Sequence, residues 1–175
     1  ASAFAFYRGS ALIMASDLAG TPNTGVTVQL CGDAHLSNFG LFGSPERQML
    51  FDINDFDETL PGPWEWDVKR LAASFVLASR SNGFGRADQR DAALSCVRAY
   101  RERMAEFAEM HPLDVWYARV DLSATLKLFH DPQTVARLRK QLAKAAASMP
   151  VPAATALRLK DPAQFRYIEI GRAHV

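Results

Sequence analysis

Two polar runs separated by a predicted β-hairpin constrain this chain more than any other feature of its sequence. The first run, 31–39, holds Asp33 and Asn38, and the second, 51–58, holds three Asp, one Asn and one Glu. Phe39–Phe42 and Met49–Ile53, which overlap the facing ends of the two runs, are largely apolar, β-prone segments with turn residues in between, a pattern typical of paired strands. A hairpin brings the residue before its first strand and the residues after its second strand to the same edge. The sequence therefore predicts that the two polar runs meet.

The spacing inside the first run indicates a chemistry. Asp33 and Asn38 are separated by four residues. The catalytic loop of protein kinases has the same gap, and there the Asp accepts the proton of the substrate hydroxyl while the Asn binds Mg²⁺. Oxygen ligands from Asp and Asn suit Mg²⁺, whereas zinc sites favour His and Cys. We therefore expect Asp33 to be a catalytic base and Asn38 to be a magnesium ligand.

A longer pattern resembles a known superfamily. Gly32-Asp33-x-His35-x-x-Asn38, then Asp55-Phe56, then Gly62-Pro63-x-x-x-Asp67 is similar to the aminoglycoside phosphotransferase and choline kinase branch of the protein-kinase-like superfamily. The resemblance implies that Asn38 and Asp55 hold the metal and that Asp67, on a helix, supports the catalytic loop. The twelve-residue gap from Asp55 to Asp67 favours Asp55 as the second ligand. Asp52 remains the alternative, because its nineteen-residue gap from Asp33 also fits.

At closer range, the chain resembles a bacterial family catalogued only as domain of unknown function 2252. The matching segments are Phe6–Gly9, Cys31–Gly40, Asn54–Glu58 and Gly62–Ala72, and the resemblance extends to about Tyr167. That family is similar to the kinase-like fold, and its members are longer than this chain. The resemblance implies Mg²⁺ and ATP or another nucleotide as cofactors, with the nucleotide-gripping glycine-rich and lysine segments after this region. We therefore expect a truncated fragment that is inactive or very weak alone.

Three further residues near these runs are secondary candidates. His35 is expected to brace the catalytic loop through a backbone hydrogen bond, with a role as metal ligand or acid as the alternative. Asp57 is a possible additional metal contact beside Asp55, with a solvated or capping role as the alternative. Arg8, inside a largely apolar predicted helix, suggests a charged partner, either a phosphate or one of the carboxylates, and a structural salt bridge is favoured.

The remaining pattern predicts an α+β fold. We expect the C-lobe portion of a kinase-like domain, in which a small β-hairpin or sheet carries the catalytic loop and packs on a mainly helical body. Val26–Cys31 is a short predicted strand that delivers Asp33, and Pro61–Pro63 is expected to break the chain. Apolar periodicity predicts helices at Phe4–Leu18, Trp66–Ser81, Ala87–Met110, Asp114–Arg119 and Pro132–Ser148.

Length and the chain end bound the domain organisation. With 175 residues and 49% hydrophobic content, the chain can fill one domain with a core. We expect residues 1–169 to form a single partial kinase-like domain that holds the catalytic and metal-binding parts. Glu169–Val175 back-translates as GAG ATC GGA AGA GCA CAC GTC, which contains a common sequencing-adapter sequence. Residues 170–175 are therefore expected to be a non-native tail and carry no functional argument.

Charge and hydropathy restrict the partners. The sequence has no run of eighteen apolar residues and no basic-then-apolar start, so we expect a cytoplasmic protein with no membrane partner. Its basic residues are not interleaved with aromatic residues in a patch, so no nucleic-acid partner is expected. Residues 1–66 hold eight Asp and Glu against two Arg, a net charge of −6, and the remainder holds 11 against 18, a net charge of +7. An acidic segment around the candidate ligands suits a cation site.

The sequence-based hypothesis is transfer of a phosphoryl or nucleotidyl group to a hydroxyl acceptor, with Mg²⁺ at the phosphates. A small molecule or a protein side chain would serve as the acceptor. One alternative is a pseudokinase-like binding or regulatory module. A less favoured alternative is a metallophosphoesterase, suggested by Gly-Asp-x-His, although the upstream Asp-x-His and the downstream Asn-His pair of that class do not occur.

Overall fold

The computed structural model describes residues 2–43, 49–120, 126 and 131–148. The chain divides into two compact units, Ala1–Phe129 and His130–Val175. In the first unit the described helices are α1 (Ala3–Arg8), α2 (Ala11–Ala19), α3 (Glu65–Ser81), α4 (Arg86–Ala108) and α5 (Pro112–Trp116), and the strands are β1 (Thr27–Leu30), β2 (Phe39–Gly43), β3 (Met49–Ile53) and β4 (Leu60–Pro63). In the second unit, α6 spans Pro132–Ser148. Helices with small antiparallel sheets make an α+β architecture, as the sequence predicts.

The predicted hairpin is confirmed. Strands β2 and β3 pair antiparallel, with Phe39 opposite Ile53 and Gly43 opposite Met49. Just beyond the ladder, the backbone N–H of Asn54 donates to the carbonyl of Asn38 at 2.8 Å. The two polar runs therefore meet at this end of the hairpin, while residues 44 and 45 of the predicted turn lie outside the described residues.

A second two-stranded sheet was not predicted. The segment expected to break the chain is strand β4, which pairs antiparallel with β1 from Thr27–Pro63 to Leu30–Leu60. The Trp64 N–H donates to the Val26 carbonyl at 3.4 Å, and alternate residues of a strand point their N–H groups to the same side. Pro61 and Pro63 thus fall at positions that face away from β1, where a missing N–H costs no ladder bond.

The prediction of one helix over Phe4–Leu18 is wrong, because the helix is interrupted at Gly9 and Ser10. Gly9 has low helix propensity. The Ser10 hydroxyl donates to the Tyr7 carbonyl at 2.9 Å, and the Ser10 N–H donates to the same carbonyl at 3.1 Å. These short-range bonds replace the helical pattern and turn the chain between α1 and α2.

The longer helices match the predictions closely. α3 begins at Glu65, one residue earlier than predicted, and its first turn contains Glu65 and Asp67, whose charges favour a helix N-terminus. α4 packs along α3. The short fifth helix, predicted at 114–119, spans Pro112–Trp116 instead, because His111 caps it and a proline fits its first position. α6 has its predicted bounds.

Two further observations complete the fold. Among the described helices, none combines the length and the apolar character that crossing a bilayer requires. The candidate site residues all belong to the first unit, and the proposed tail 170–175 lies outside the described residues. The single domain predicted over 1–169 stays a prediction.

Candidate functional site

The loop after β1 is the most deeply buried part of the described first unit. Leu30, Cys31 and Ala34 are its buried apolar residues, and Asp33 and His35 are buried beside them with exposed fractions of 6% and 2%. Charged side chains are seldom buried to this extent unless they are paired. The buried Asp33 carboxylate therefore needs charged or polar partners beside it.

Asp67 on α3 holds the backbone just before Asp33. Its Oδ2 accepts the Cys31 N–H at 2.7 Å, and its Oδ1 accepts the Gly32 N–H at 3.0 Å. Burial raises the pKa of the Asp67 carboxyl, while the two backbone hydrogen bonds and Arg70 lower it. Asp67, which the resemblance to kinase-like enzymes implies is a loop support, thus contacts the loop directly.

Gly32 gives the loop its shape. Its φ is +85°, in the left-handed region that favours glycine. A Cβ at this position would lie 2.0 Å from the Glu58 carbonyl oxygen. The turn that presents Asp33 therefore needs glycine both for its backbone angle and for the close approach of the 54–60 segment.

The Asp33 carboxylate is bound on both oxygens. Arg70 on α3 donates from Nε to Oδ1 at 2.5 Å and also reaches Oδ1 through Nη2. The Nε2 atom of His35 lies 3.3 Å from Oδ2. Arg70 itself is only 2% exposed, so the ion pair lies out of contact with bulk water.

His35 is fixed in one tautomer. Its Nδ1 accepts the Ser37 N–H at 3.1 Å, so the neutral ring carries its proton on Nε2, the nitrogen that lies 3.3 Å from Asp33 Oδ2. Burial lowers the pKa of the imidazole most, and the charges of Arg70 and Arg8 lower it further, whereas Asp33 raises it. The net lowering of the pKa favours the neutral ring beside Asp33.

Asn38 is tied to Asp33 through the backbone. The Asn38 side chain donates from Nδ2 to the Asp33 carbonyl at 2.7 Å, and its N–H donates to the His35 carbonyl at 2.8 Å. These bonds orient the amide and leave Oδ1 with no hydrogen bond among the described residues. Asn38 is thus close to Asp33, but the contact does not involve the Asp33 carboxylate.

The three candidate aspartates of the second run differ in their surroundings. Asp55 follows Asn54, which binds Asn38, and its carbonyl lies 3.6 Å from the Cys31 Sγ. Its Oδ1 accepts the Asp57 N–H at 3.1 Å, and its Oδ2 has no hydrogen bond among the described residues. Asp52 lies on β3 opposite Gly40, where its Oδ1 accepts the Ile53 N–H at 2.8 Å. All three carboxylates are exposed.

Two side-chain oxygens of the candidate residues have no hydrogen-bond partner among the described residues. Across the part of the chain that the structure describes, no group of three or more His, Cys, Asp and Glu side chains could hold a metal. Asn38 Oδ1 and Asp55 Oδ2 are uncommitted oxygens on adjoining segments. Two protein oxygens suit Mg²⁺, which keeps several waters and uses substrate phosphates as further ligands.

Arg8 lies at the end of α1 and is exposed. Within the described ranges it has no ion pair, and its charge acts on the buried His35. The salt bridge favoured by the sequence interpretation is therefore not formed with any described carboxylate.

Sequence reasoning missed Arg70 and Ser74. Ser74 is fully buried, accepts the Leu36 N–H at 3.1 Å and donates to the Leu71 carbonyl. Together with Asp67 these residues occupy helix positions i, i+3 and i+7, which share one face of α3. This i, i+3, i+7 spacing is the signal in the sequence that indicates a polar stripe on α3 beside its apolar stripe.

The comparisons with known proteins identify a family but no activity. The family described as "Uncharacterized protein conserved in bacteria (DUF2252)" matches residues 1–165. No curated protein matches the chain, and neither does any solved structure. The chain belongs to this bacterial family.

Proposed function

We propose that this member of an uncharacterized bacterial family is a Mg²⁺-dependent phosphotransferase of the kinase-like type. Asp33 would orient and deprotonate a hydroxyl acceptor on a small molecule or a protein. The observation that carries the proposal is the pair of hydrogen bonds that the Cys31 and Gly32 N–H groups donate to the Asp67 carboxylate. They give Asp67 the loop-supporting place that the resemblance to kinase-like enzymes implies.

From the same resemblance we propose a kinase-like fold for this chain and a longer enzyme of which it is part. The hairpin, the loop and α3 correspond to the C-lobe portion of a kinase-like domain. No Gly-x-Gly-x-x-Gly occurs in the sequence, and the resemblance places the nucleotide-gripping segments beyond these residues. We therefore treat the chain as part of a longer enzyme, and activity is tested on the longest natural form of the protein.

The metal in this proposal depends on two oxygens. Asn38 Oδ1 and Asp55 Oδ2 are the atoms that would hold Mg²⁺, because hydrogen bonds engage the other polar atom of each side chain. When bound, Mg²⁺ neutralises charge on the nucleotide phosphates. The Asn54–Asn38 backbone bond favours Asp55 over Asp52, whose carboxylate belongs to the strand.

Phosphoryl transfer does not require the Asp33 carboxylate to be a strong base. In the loose transition state, positioning and electrostatic stabilisation supply most of the acceleration. A carboxylate held by Arg70 is a weaker base but a well-oriented acceptor. The buried ion pair is therefore compatible with a hydroxyl-orienting role for Asp33.

The experiment measures Mg-ATP binding and turnover in the same protein. Saturating Mg-ATP at about 100 times its Kd would stabilise the native state by about 2.7 kcal/mol, visible as a rise in Tm. Asp33→Asn is expected to keep this rise and to release ADP far more slowly, at a residual rate that can still be measured. Asp55→Asn is expected to bind ATP no more tightly with Mg²⁺ than without it. Asp52→Asn is the matched control, in which Mg²⁺ should still strengthen ATP binding. Absence of any Mg-ATP effect on Tm would contradict the proposal.

A second candidate function is a pseudokinase-like binding module. The observation in its favour is that both oxygens of Asp33 already have partners, Arg70 and His35. This candidate predicts that Mg-ATP raises Tm while the wild-type protein and Asp33→Asn release ADP at the same background rate.

A further inference from the structure

We propose that Arg70 is a positioning residue that makes Oδ2 of Asp33 the oxygen that faces the acceptor hydroxyl. This inference rests on the proposed function and adds to it the reacting atom and the residue that selects it. Arg70 lies within α3, is 2% exposed, and directs two N–H groups at one oxygen of Asp33.

The selection follows from counting acceptor sites. A carboxylate oxygen accepts about two hydrogen bonds in good geometry. Oδ1 already accepts the Nε–H of Arg70 and has Nη2 of the same guanidinium in ion-pair contact with it, so it has no site left for a substrate hydroxyl. Oδ2 has no hydrogen bond among the described residues, and His35 Nε2 lies 3.3 Å from it. One site on Oδ2 is therefore the place where Asp33 can take a further proton.

Arg70 is itself held from a second direction. Its Nη2 also donates to the Tyr7 carbonyl at 2.9 Å, and its guanidinium lies 4.4 Å from the centre of the Tyr7 ring. The Tyr7 hydroxyl donates to the Arg70 carbonyl at 2.8 Å. A planar fork fixed in this way sets the rotation of the Asp33 carboxylate, which the ammonium of a lysine would not do.

A purely structural role for Arg70 makes a different prediction. A residue that only stabilises the fold would lower activity independently of Asp33. A residue that acts by orienting the Asp33 carboxylate has nothing left to orient once that carboxylate is removed. A double-variant cycle between residues 33 and 70 separates the two, because independent effects multiply in rate whereas residues that act as a unit do not.

The experiment uses the longest natural form of the protein with Mg-ATP and ADP release as the readout. The variants are Arg70→Lys, Asp33→Asn and the double variant, and Arg103→Lys, an exposed arginine paired with Glu106, is the matched control. Arg70→Lys is expected to lower turnover by about ten- to a hundredfold, the order of loss that misplacement by 1 Å causes. Its Mg-ATP effect on Tm is expected to stay unchanged. The double variant is expected to match Asp33→Asn.

Two outcomes of this turnover experiment would overturn the inference. One is Arg70→Lys turnover equal to that of wild type and of Arg103→Lys. The other is a double variant slower than Asp33→Asn by the full factor of Arg70→Lys, which would assign Arg70 a role independent of Asp33.

A second measurement needs no variant and no turnover. The ¹⁵N NMR signals of His35 are expected to show the Nε2–H tautomer, as the bonds to Asp33 and Ser37 require. The Nδ1–H tautomer would overturn the orientation of Asp33 and the inference with it. If wild-type protein neither binds Mg-ATP nor releases ADP, the proposed function fails, and the tautomer still decides whether the Asp33 carboxylate has this orientation.

Discussion

Substituting Gly32 by alanine tests whether the loop before Asp33 has the shape described. Two costs add at this position. An L-residue at φ near +85° costs about 1–2 kcal/mol. The new Cβ would also lie 2.0 Å from the Glu58 carbonyl oxygen, a backbone atom that no side-chain rotation can move, and relief of such overlap by shifting the backbone costs typically about 1–3 kcal/mol.

The chain offers controls that isolate the second cost. Gly25 and Gly83 have nearly the same φ, +79° and +78°. A Cβ on either would have no atom within 4 Å. Alanine at these control positions bears the backbone cost alone, reduced by about 0.4–1 kcal/mol because alanine also restricts the unfolded chain. We therefore expect a loss of about 1 kcal/mol for each control and about 2–4 kcal/mol for Gly32→Ala.

Urea denaturation followed by circular dichroism measures the difference, provided that the slope with denaturant is the same for all variants. Gly32→Ala should lower the unfolding midpoint markedly more than Gly25→Ala and Gly83→Ala. Equal midpoints for the three variants would refute the reasoning, because they would mean that the Glu58 backbone does not approach Gly32 in solution.

Three further predictions address the contacts around Asp33. Asp67→Asn replaces one acceptor with a donor that faces a loop N–H, so unfolding free energy should fall by about 1–3 kcal/mol in urea, whereas exposed Arg103→Gln should change it by less than about 0.5 kcal/mol. Because burial lowers the pKa of His35, the unfolded chain takes up its proton first, and stability should fall as pH drops below 6.5; His35→Gln should flatten this dependence in pH-dependent urea titrations, and exposed Arg103→Gln should leave it unchanged. Burial raises the pKa of Tyr7 to about 12, so its ultraviolet absorbance, measured as the difference between wild type and Tyr7→Phe, should not titrate near the ordinary tyrosine pKa of about 10.

Sequence reasoning was most successful where local pattern fixes structure. The β2–β3 hairpin and α6 have nearly or fully the predicted bounds, because alternating apolar residues and a proline at a helix start act over a few residues. It was wrong about the helix 4–18, whose break depends on the Ser10 side chain, and about the strand 60–63. Prolines usually argue against a strand, and only pairing with a distant segment shows that they face away from it.

The candidate site residues likewise divide into those that the sequence predicts and those that only tertiary packing brings together. Spacing selected Asp33 and Asn38, the resemblance to kinase-like enzymes added Asp67, and in the structure Asp67 on α3 accepts hydrogen bonds from the loop that holds the other two. Spacing could not select Arg70, because its partner lies 37 positions away and only the packing of α3 on the loop joins them. Nor could spacing decide between Asp52 and Asp55, since each lies at a fitting separation from another candidate; the structure distinguishes them by place, with Asp52 within β3 and Asp55 beyond its end.

The composition of the interior connects the fold to the proposed chemistry. Among the described residues, six buried polar or charged side chains accompany only three buried apolar residues, and two of the six, His35 and Arg70, contact a third, Asp33. A buried ion pair seldom stabilises a protein more than apolar packing of the same volume does. Stability alone therefore gives no reason to place Asp33, His35 and Arg70 together out of water. Orientation of a carboxylate does give one, because a group fixed by buried partners needs no rearrangement when its substrate arrives.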